Sequence, residues 1–251
     1  MTVSHRSVYL RVKRGVDVLV SGLGLVAAAP VMGAVALGVR RRLGSPVLFR
    51  QERPGLDGAP FQLVKFRTMR ILGESDGWAN DAERLTPFGR WLRSTSLDEL
   101  PTLWNVLRGD MSLVGPRPLL MEYLERYSPE QRRRHEVRPG ITGLAQVRGR
   151  NWLTWDQKFA ADIEYVDNLG PVLDARILLG TLVKVARRQG ISAPGEATMA
   201  LFTGSSPVDP AGHDPAGHGA PTTTAPADEG HDLVDGGHDP LERTGNRSDA
   251  A

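Results

Sequence analysis

Hydrophobic and polar positions divide the chain into three regimes. The first is an uncharged run from Val18 to Val39, VLVSGLGLVAAAPVMGAVALGV, long enough as a helix to cross the hydrocarbon core of a bilayer. In the second, up to about residue 194, short strand-like and helix-like patterns alternate. Val47–Glu52 and Phe61–Met69 have strand character, and the turn-forming PGLDGAP between them predicts a β-hairpin. Period two along VKFRTM puts Lys65 and Arg67 on one side, with Phe66 and Thr68 opposite.

Helices are predicted at Thr86–Arg93 and Leu97–Leu107. The second is opened by Ser96 with Glu99 three residues on, the spacing of a capping box. Pro101 falls just beyond the freely tolerated first turn, so this helix is expected to be distorted or to start late. Pro129–Arg138, Trp155–Leu169 and Asp174–Arg188 complete the set, the last with Ile177, Leu178, Leu182 and Val185 as one apolar face. The third regime begins near Gly195, where periodicity dissolves into Gly, Ala, Pro, Asp and His with the near-repeats DPAGHDPAGHG and EGHDLVDGGHDP. This composition predicts a disordered tail that catalysis does not need. Its histidines His213, His218, His231 and His238 lie in flexible acidic sequence that fixes no tetrahedral geometry, so no metal site is expected there.

The apolar run is compatible with three placements. It could span a bilayer. It could be a signal peptide, with Lys13 and Arg14 as a basic start and Ala27 to Ala29 as small cleavage-site residues, although a further apolar stretch and a basic cluster follow. It could also enter the membrane and turn back. Arg11, Lys13 and Arg14 precede the run and Arg40, Arg41 and Arg42 follow it, and basic flanks prefer the cytoplasm, so a hairpin satisfies both ends. Pro30, with Gly22, Gly24, Gly33 and Gly38 around it, marks a place to bend.

Charge and composition narrow the picture. The chain of 251 residues has no cysteine, which excludes disulfides and thiolate metal sites. Its net charge of +2 conceals an asymmetry: from Thr203 onward nine acids face two bases, leaving +9 on the remainder. A basic body suits nucleic acid, anionic lipid or phosphorylated substrates. The apolar run favours membrane lipids and no nucleic acid.

The densest chemical signal is LTPFGRWLRSTSLDELPTLWNVLRGDMSLVGPRP, which sets adjacent carboxylates, Asp98 and Glu99, among Arg90, Arg93, Arg108 and Arg117. A carboxylate can attack phosphorus or hold Mg²⁺, and guanidiniums bind phosphate oxygens bidentately. Acids in the first turn of a helix are also favoured by its dipole, so a purely structural role for the pair stays open. Arg117 has a proline on each side, which stiffens its backbone.

This segment resembles the bacterial sugar transferase family, the monotopic phosphoglycosyl transferases that start polysaccharide and glycoconjugate assembly on undecaprenyl phosphate. The resemblance runs from about Lys13 to Gly190 and includes KRGVD, SPVLFRQERPGLDGAPFQLVKFRTM, RPGITGLAQVRGRN and YVDNLGPVLDARILLGT in family order. Ser45, where many members have glycine, and Leu169-Gly170 are small departures. Without the preceding block of membrane spans that many members carry, the chain resembles the short form.

The resemblance implies an α+β, mostly helical chain with a membrane anchor over 1–42 and a small interfacial catalytic domain with a β-hairpin over 43–194; the disordered acidic tail over 195–251 is read from composition and has no counterpart in the family. The resemblance implies a re-entrant membrane helix broken near Pro30, seated on the cytoplasmic face of the bacterial plasma membrane. It also implies a UDP-sugar donor, a polyprenyl phosphate acceptor, Mg²⁺ and release of UMP. By position, Asp98 matches the nucleophile and a Mg²⁺ ligand, and Glu99 its partner. Arg93 and Arg117 match phosphate-binding arginines, and Lys65 and Arg67 are expected beside them. Two rivals are an inactive scaffold that recruits partners through its tail and an ordinary glycosyltransferase, which would release UDP.

Overall fold

The computed structural model describes residues 3–71, 84–149, 152–186 and 201–204. The apolar run lies inside one helix, α1 (Val3–Leu43), whose 41 residues amount to about 60 Å at 1.5 Å per residue. The sequence predicts a break at Pro30, yet the helix continues through that residue. A proline removes one hydrogen bond and crowds the preceding turn, which bends a long helix more readily than it ends one.

Both halves of α1 touch the same body. In the first half Tyr9 and Lys13 bond the Asp174 carboxylate, and the Asp17 Oδ1 accepts from the Leu113 N–H at 3.0 Å. In the second half Val35 and Val39 pack with Phe66 and Leu92. Leu19, Leu23 and Val26 are 63, 63 and 76 % exposed, an aliphatic surface that is unfavourable in water and at home in lipid.

The hairpin forms as predicted, from β1 (Leu48–Pro54) and β2 (Pro60–Phe66), paired antiparallel. Its register sets Arg53 opposite Phe61, Gln51 opposite Leu63 and Phe49 opposite Lys65, so these six residues share one face. Phe61 and Leu63 pack there with Val106 and Met111.

Helix α2 (Pro87–Ser94) starts where expected, with the Thr86 hydroxyl accepting from the Gly89 N–H at 3.0 Å. The predicted Leu97–Leu107 helix is instead split into a single 3₁₀ turn, Leu97–Glu99, and α3 (Thr102–Arg108) after Pro101. No capping box forms. Ser96 is left-handed at φ 56°, its side chain caps nothing, and Glu99 is directed elsewhere.

Two strands were invisible to periodicity because each has three residues: β3 (Ser112–Val114) and β4 (Gly140–Thr142), which pair in parallel. Backbone meets backbone beside them. A Cβ on Gly140 would lie 2.1 Å from the Gly115 nitrogen, and one on Gly143 would lie 2.2 Å from the Gly115 oxygen. The remaining α-helices among the described residues are α4 (Pro129–Arg132), which passes into a 3₁₀ turn at Arg133–His135, α5 (Leu144–Arg148), α6 (Trp155–Asp167) and α7 (Pro171–Ala186).

The predicted apolar face of α7 is not the buried one. Ile177 is 1 % exposed, but Leu178, Leu182 and Val185 are 37, 68 and 37 % exposed. The helix instead docks along Asp174, Ile177 and Thr181, with Asp174 receiving the Tyr165 hydroxyl at 2.9 Å and Thr181 bonding Thr142 at 2.7 Å. That strip has helical spacing but contains an acid and a hydroxyl, so a hydrophobicity pattern passes over it.

The tail is also corrected at one point. Leu201–Gly204 is docked, with Phe202 2 % exposed among Tyr123, Tyr127, Trp155 and Phe159. Its N–H donates to the Tyr123 hydroxyl at 3.1 Å and its carbonyl accepts from Arg126 at 2.6 Å. One large aromatic side chain with a ready-made socket buries enough surface to order a short segment of otherwise polar sequence. The four tail histidines lie outside the described residues. Phe202→Ala is therefore expected to lower stability by about 3–5 kcal/mol, read by thermal unfolding. A chain ended after Gly204 is expected to melt with the full chain. Equal melting of Phe202→Ala and wild type would refute the docking.

Candidate active site

Five of the six predicted polar residues converge, and the hairpin, the 3₁₀ turn and the loop after β3 bring them together. Lys65, next to last in β2, and Arg117, between Pro116 and Pro118, both donate to Glu99 Oε1, at 2.7 and 2.8 Å. Asp98, on the same turn, is 8 % exposed and takes neither cation as a partner. Arg93, in the last turn of α2, donates through Nε to the Thr68 hydroxyl at 3.1 Å and lies close enough to Asp98 for its charge to be felt there.

Neighbouring carboxylates thus acquire opposite characters. Burial pushes the Asp98 carboxyl up to about 6, helped by the charge of Glu99, with Lys65, Arg93 and Arg117 pulling the other way. Burial also pushes Glu99 up, but Lys65 and Arg117 outweigh it and hold Glu99 well below the ordinary carboxylate range. One acid is a fixed anion locked in ion pairs. The other is a high-energy carboxylate ready to bond something else.

Arg67 does not join them. It is 5 % exposed, and its guanidinium bonds the carbonyls of Leu43 and, at 3.2 Å, Ser45, closing the C-terminal end of α1. The predicted alternation with Lys65 ends with β2, where the chain turns Arg67 toward helix carbonyls that otherwise lack donors. Its charge complements the helix dipole there.

Two residues that the sequence reading passed over belong to the site. Arg53 lines, with Lys65, Glu99, Thr102, Met111 and Arg117, a cavity of about 100 Å³. The signal was present in the hairpin register, which puts Arg53 on the face of Lys65. Arg134, 2 % exposed, bonds Asp162 at 2.7 and 3.0 Å, the Tyr127 hydroxyl at 3.1 Å and the Arg117 carbonyl at 2.7 Å, so it holds the loop that carries Arg117. A wider surface groove of about 580 Å³ is rimmed by Glu130, Asp156, Glu164 and Asp167, a poor match for a phosphorylated ligand.

Among the described residues no three His, Asp or Glu side chains cluster, so these residues alone build no closed metal site. Mg²⁺ is commonly held by one or two carboxylates together with substrate phosphates. Asp98, outside the ion pairs of Glu99, fits that requirement.

Known proteins resemble the chain over the same region. The residue profile of the family described as bacterial sugar transferase matches residues 8–188, which leaves the docked Phe202 beyond it. An uncharacterized sugar transferase, EpsL, of Bacillus subtilis is 54 % identical over 171 residues, covering 68 % of this chain and 85 % of its own. The UDP-glucose:undecaprenyl-phosphate glucose-1-phosphate transferase of Caulobacter vibrioides is 44 % identical over 181 residues, 68 % of each chain. The undecaprenyl-phosphate galactose phosphotransferase of Salmonella typhimurium is 39 % identical over 196 residues, 71 % of this chain but 41 % of its own.

The raised Asp98 has a thermodynamic signature. Because its folded value of about 6 exceeds the ordinary 3.8, the native state binds a proton that the unfolded chain does not between those values. Stability contributed by Asp98 therefore falls as pH rises through that window and stays low above it. Asp98→Asn removes the ionisation and is expected to be more stable than wild type by about 1–3 kcal/mol at pH 8, with the gain vanishing near pH 4. Thermal unfolding at the two pH values checks this, and a less stable Asp98→Asn at pH 8 would contradict it.

Proposed function

Because the chain belongs to the bacterial sugar transferase family, we propose that it moves a sugar 1-phosphate from a UDP-sugar to undecaprenyl phosphate and releases UMP. It is a phosphoglycosyl transferase. The observation that supports a two-step route is the split between Asp98 and Glu99: one carboxylate is clamped by Lys65 and Arg117 while its neighbour is buried outside those pairs.

In the first step an Asp98 carboxylate oxygen attacks the phosphorus next to the sugar, the bond from that phosphorus to the bridging oxygen breaks, and UMP leaves with the electron pair. In the second an oxygen of the lipid phosphate attacks the same phosphorus and displaces Asp98, giving the lipid diphosphate sugar and restoring the carboxylate. Arg93 and Arg117 neutralise phosphate oxygens, and Lys65 with Arg117 fixes Glu99 so that the negative charge beside Asp98 does not move. Mg²⁺, held by Asp98 and the donor diphosphate, would offset charge on the departing UMP.

The scaffold alternative is not supported: the chain keeps Asp98, Glu99, Arg93 and Arg117, and relatives are transferases by name. An exposed aliphatic surface on α1 and a lipid-linked substrate class both fit membrane association. For topology we favour the re-entrant arrangement at the cytoplasmic face. It accounts for basic residues at both ends of the apolar run, with α1 bending at Pro30 and not interrupted there.

Cysteines placed singly at Ser7 and Ser45 are expected to resist an impermeant thiol reagent in intact cells and to react after lysis. External labelling of Ser7→Cys would mean that the helix spans. Enzyme given UDP-sugar without lipid acceptor is expected to release up to about one UMP per active site and to retain the sugar phosphate. Asp98→Asn should abolish the burst while still binding donor. A product of UDP, or a burst in Asp98→Asn at the wild-type rate, would reject the mechanism.

A further inference from the structure

The cavity behind Glu99 holds more positive charge than it can neutralise. Lys65, Arg117 and Arg53 line it with a single carboxylate, and both ion pairs to that carboxylate end on Oε1. Among the described residues Arg53 obtains only a neutral partner, the Gln51 side-chain oxygen, at 2.6 Å from Nη2. Its Nε is buried and, among the described residues, has no hydrogen-bond partner. Met111 and Ile141 form apolar walls, which weaken screening and sharpen the imbalance.

A buried guanidinium donor without an acceptor is costly, and a second guanidinium nearby adds repulsion. Burial and then the Arg117 charge push Arg53 down to about 10, in keeping with that repulsion. The unmet requirement is for an anion with several acceptor oxygens, which a planar arginine fork matches well.

We propose that this cavity, which Glu99 lines and Asp98 does not, is a second phosphate subsite, and that Arg53 completes it together with Lys65 and Arg117. The assignment rests on reading the site as one for phosphoryl transfer. With one phosphate at Asp98 for attack, the second position takes either the other phosphate of the nucleotide sugar or the phosphate of the lipid acceptor.

Full-length protein in detergent is titrated with inorganic phosphate and pyrophosphate by calorimetry, and its thermal unfolding is followed with and without them. Without anion, Arg53→Gln is expected to melt at or above wild type, because it removes repulsion. Its affinity for pyrophosphate is expected to fall at least about tenfold, a loss on the scale of one charged hydrogen-bonding contact. Arg53→Lys keeps the charge but loses the fork, so its affinity is expected to fall between those of wild type and Arg53→Gln, which guards against loss of fold in the glutamine variant. Wild-type pyrophosphate affinity in Arg53→Gln, or lower anion-free melting with anion binding unchanged, would overturn the subsite and make Arg53 structural.

Steady-state kinetics then separate the sources. A raised KM for UDP-sugar alone assigns the position to the donor, and a raised KM for polyprenyl phosphate alone assigns it to the acceptor. If wild type releases no UMP yet binds pyrophosphate through Arg53, the subsite stands and the proposed reaction fails.

Discussion

Helix ends that point into protein expose carbonyls with no intrahelical donor, and two arginines meet that need across element boundaries. Arg67, just past β2, bonds Leu43 and Ser45 at the end of α1, while Arg14 within α1 bonds Val106 at 2.6 Å and Leu107 at 2.8 Å at the end of α3. The two caps run in opposite directions, one from body to membrane helix and one back. Sliding α1 along its axis would unpair both at once, each at a cost of about 1–3 kcal/mol. Lys65 lies two residues before the first cap, and Glu99 lies in the turn that leads into the helix closed by the second. The ion pairs at Glu99, beside Asp98, thus inherit their geometry from the way α1 is fastened.

That fastening explains how adjacent acids can differ so much. In a flexible loop Asp98 and Glu99 would share cations and titrate alike. Here Arg134 fixes the Arg117 backbone from the Asp162 side and the hairpin fixes Lys65, so both cations arrive at Glu99. At Asp98, outside that clamp, burial and the Glu99 charge outweigh the pull of Lys65, Arg93 and Arg117.

Much of this was legible in the sequence, for identifiable reasons. An uncharged run of this length is enough for a membrane helix, although composition alone left three placements open, and PGLDGAP announces a hairpin because its residues favour tight turns. The Asp98–Glu99 pair was named through resemblance, since its acids sit equally well at a helix start. What stayed hidden depended on partners distant in sequence. Alternation could place Arg67 on a face but not show that the end of α1, 24 residues earlier, stands beside it. Phe202 was lost in low-complexity sequence, where a single aromatic leaves no periodic trace, and its socket is drawn from residues 123 to 159. The docking strip of α7 was missed because two of its members are polar.

The contact of Gly115 with Gly140 and Gly143 has an evolutionary consequence. Arg117 follows Gly115 by two residues, so its position is set where main chain rests on main chain. Any nucleotide change that replaces a glycine codon's residue with another amino acid adds at least a β-carbon, and here that carbon would overlap backbone atoms. A side chain added at any of them would push main chain away from main chain and carry Arg117 with it, so this loop admits change only in the side chains around it and not in the glycines themselves.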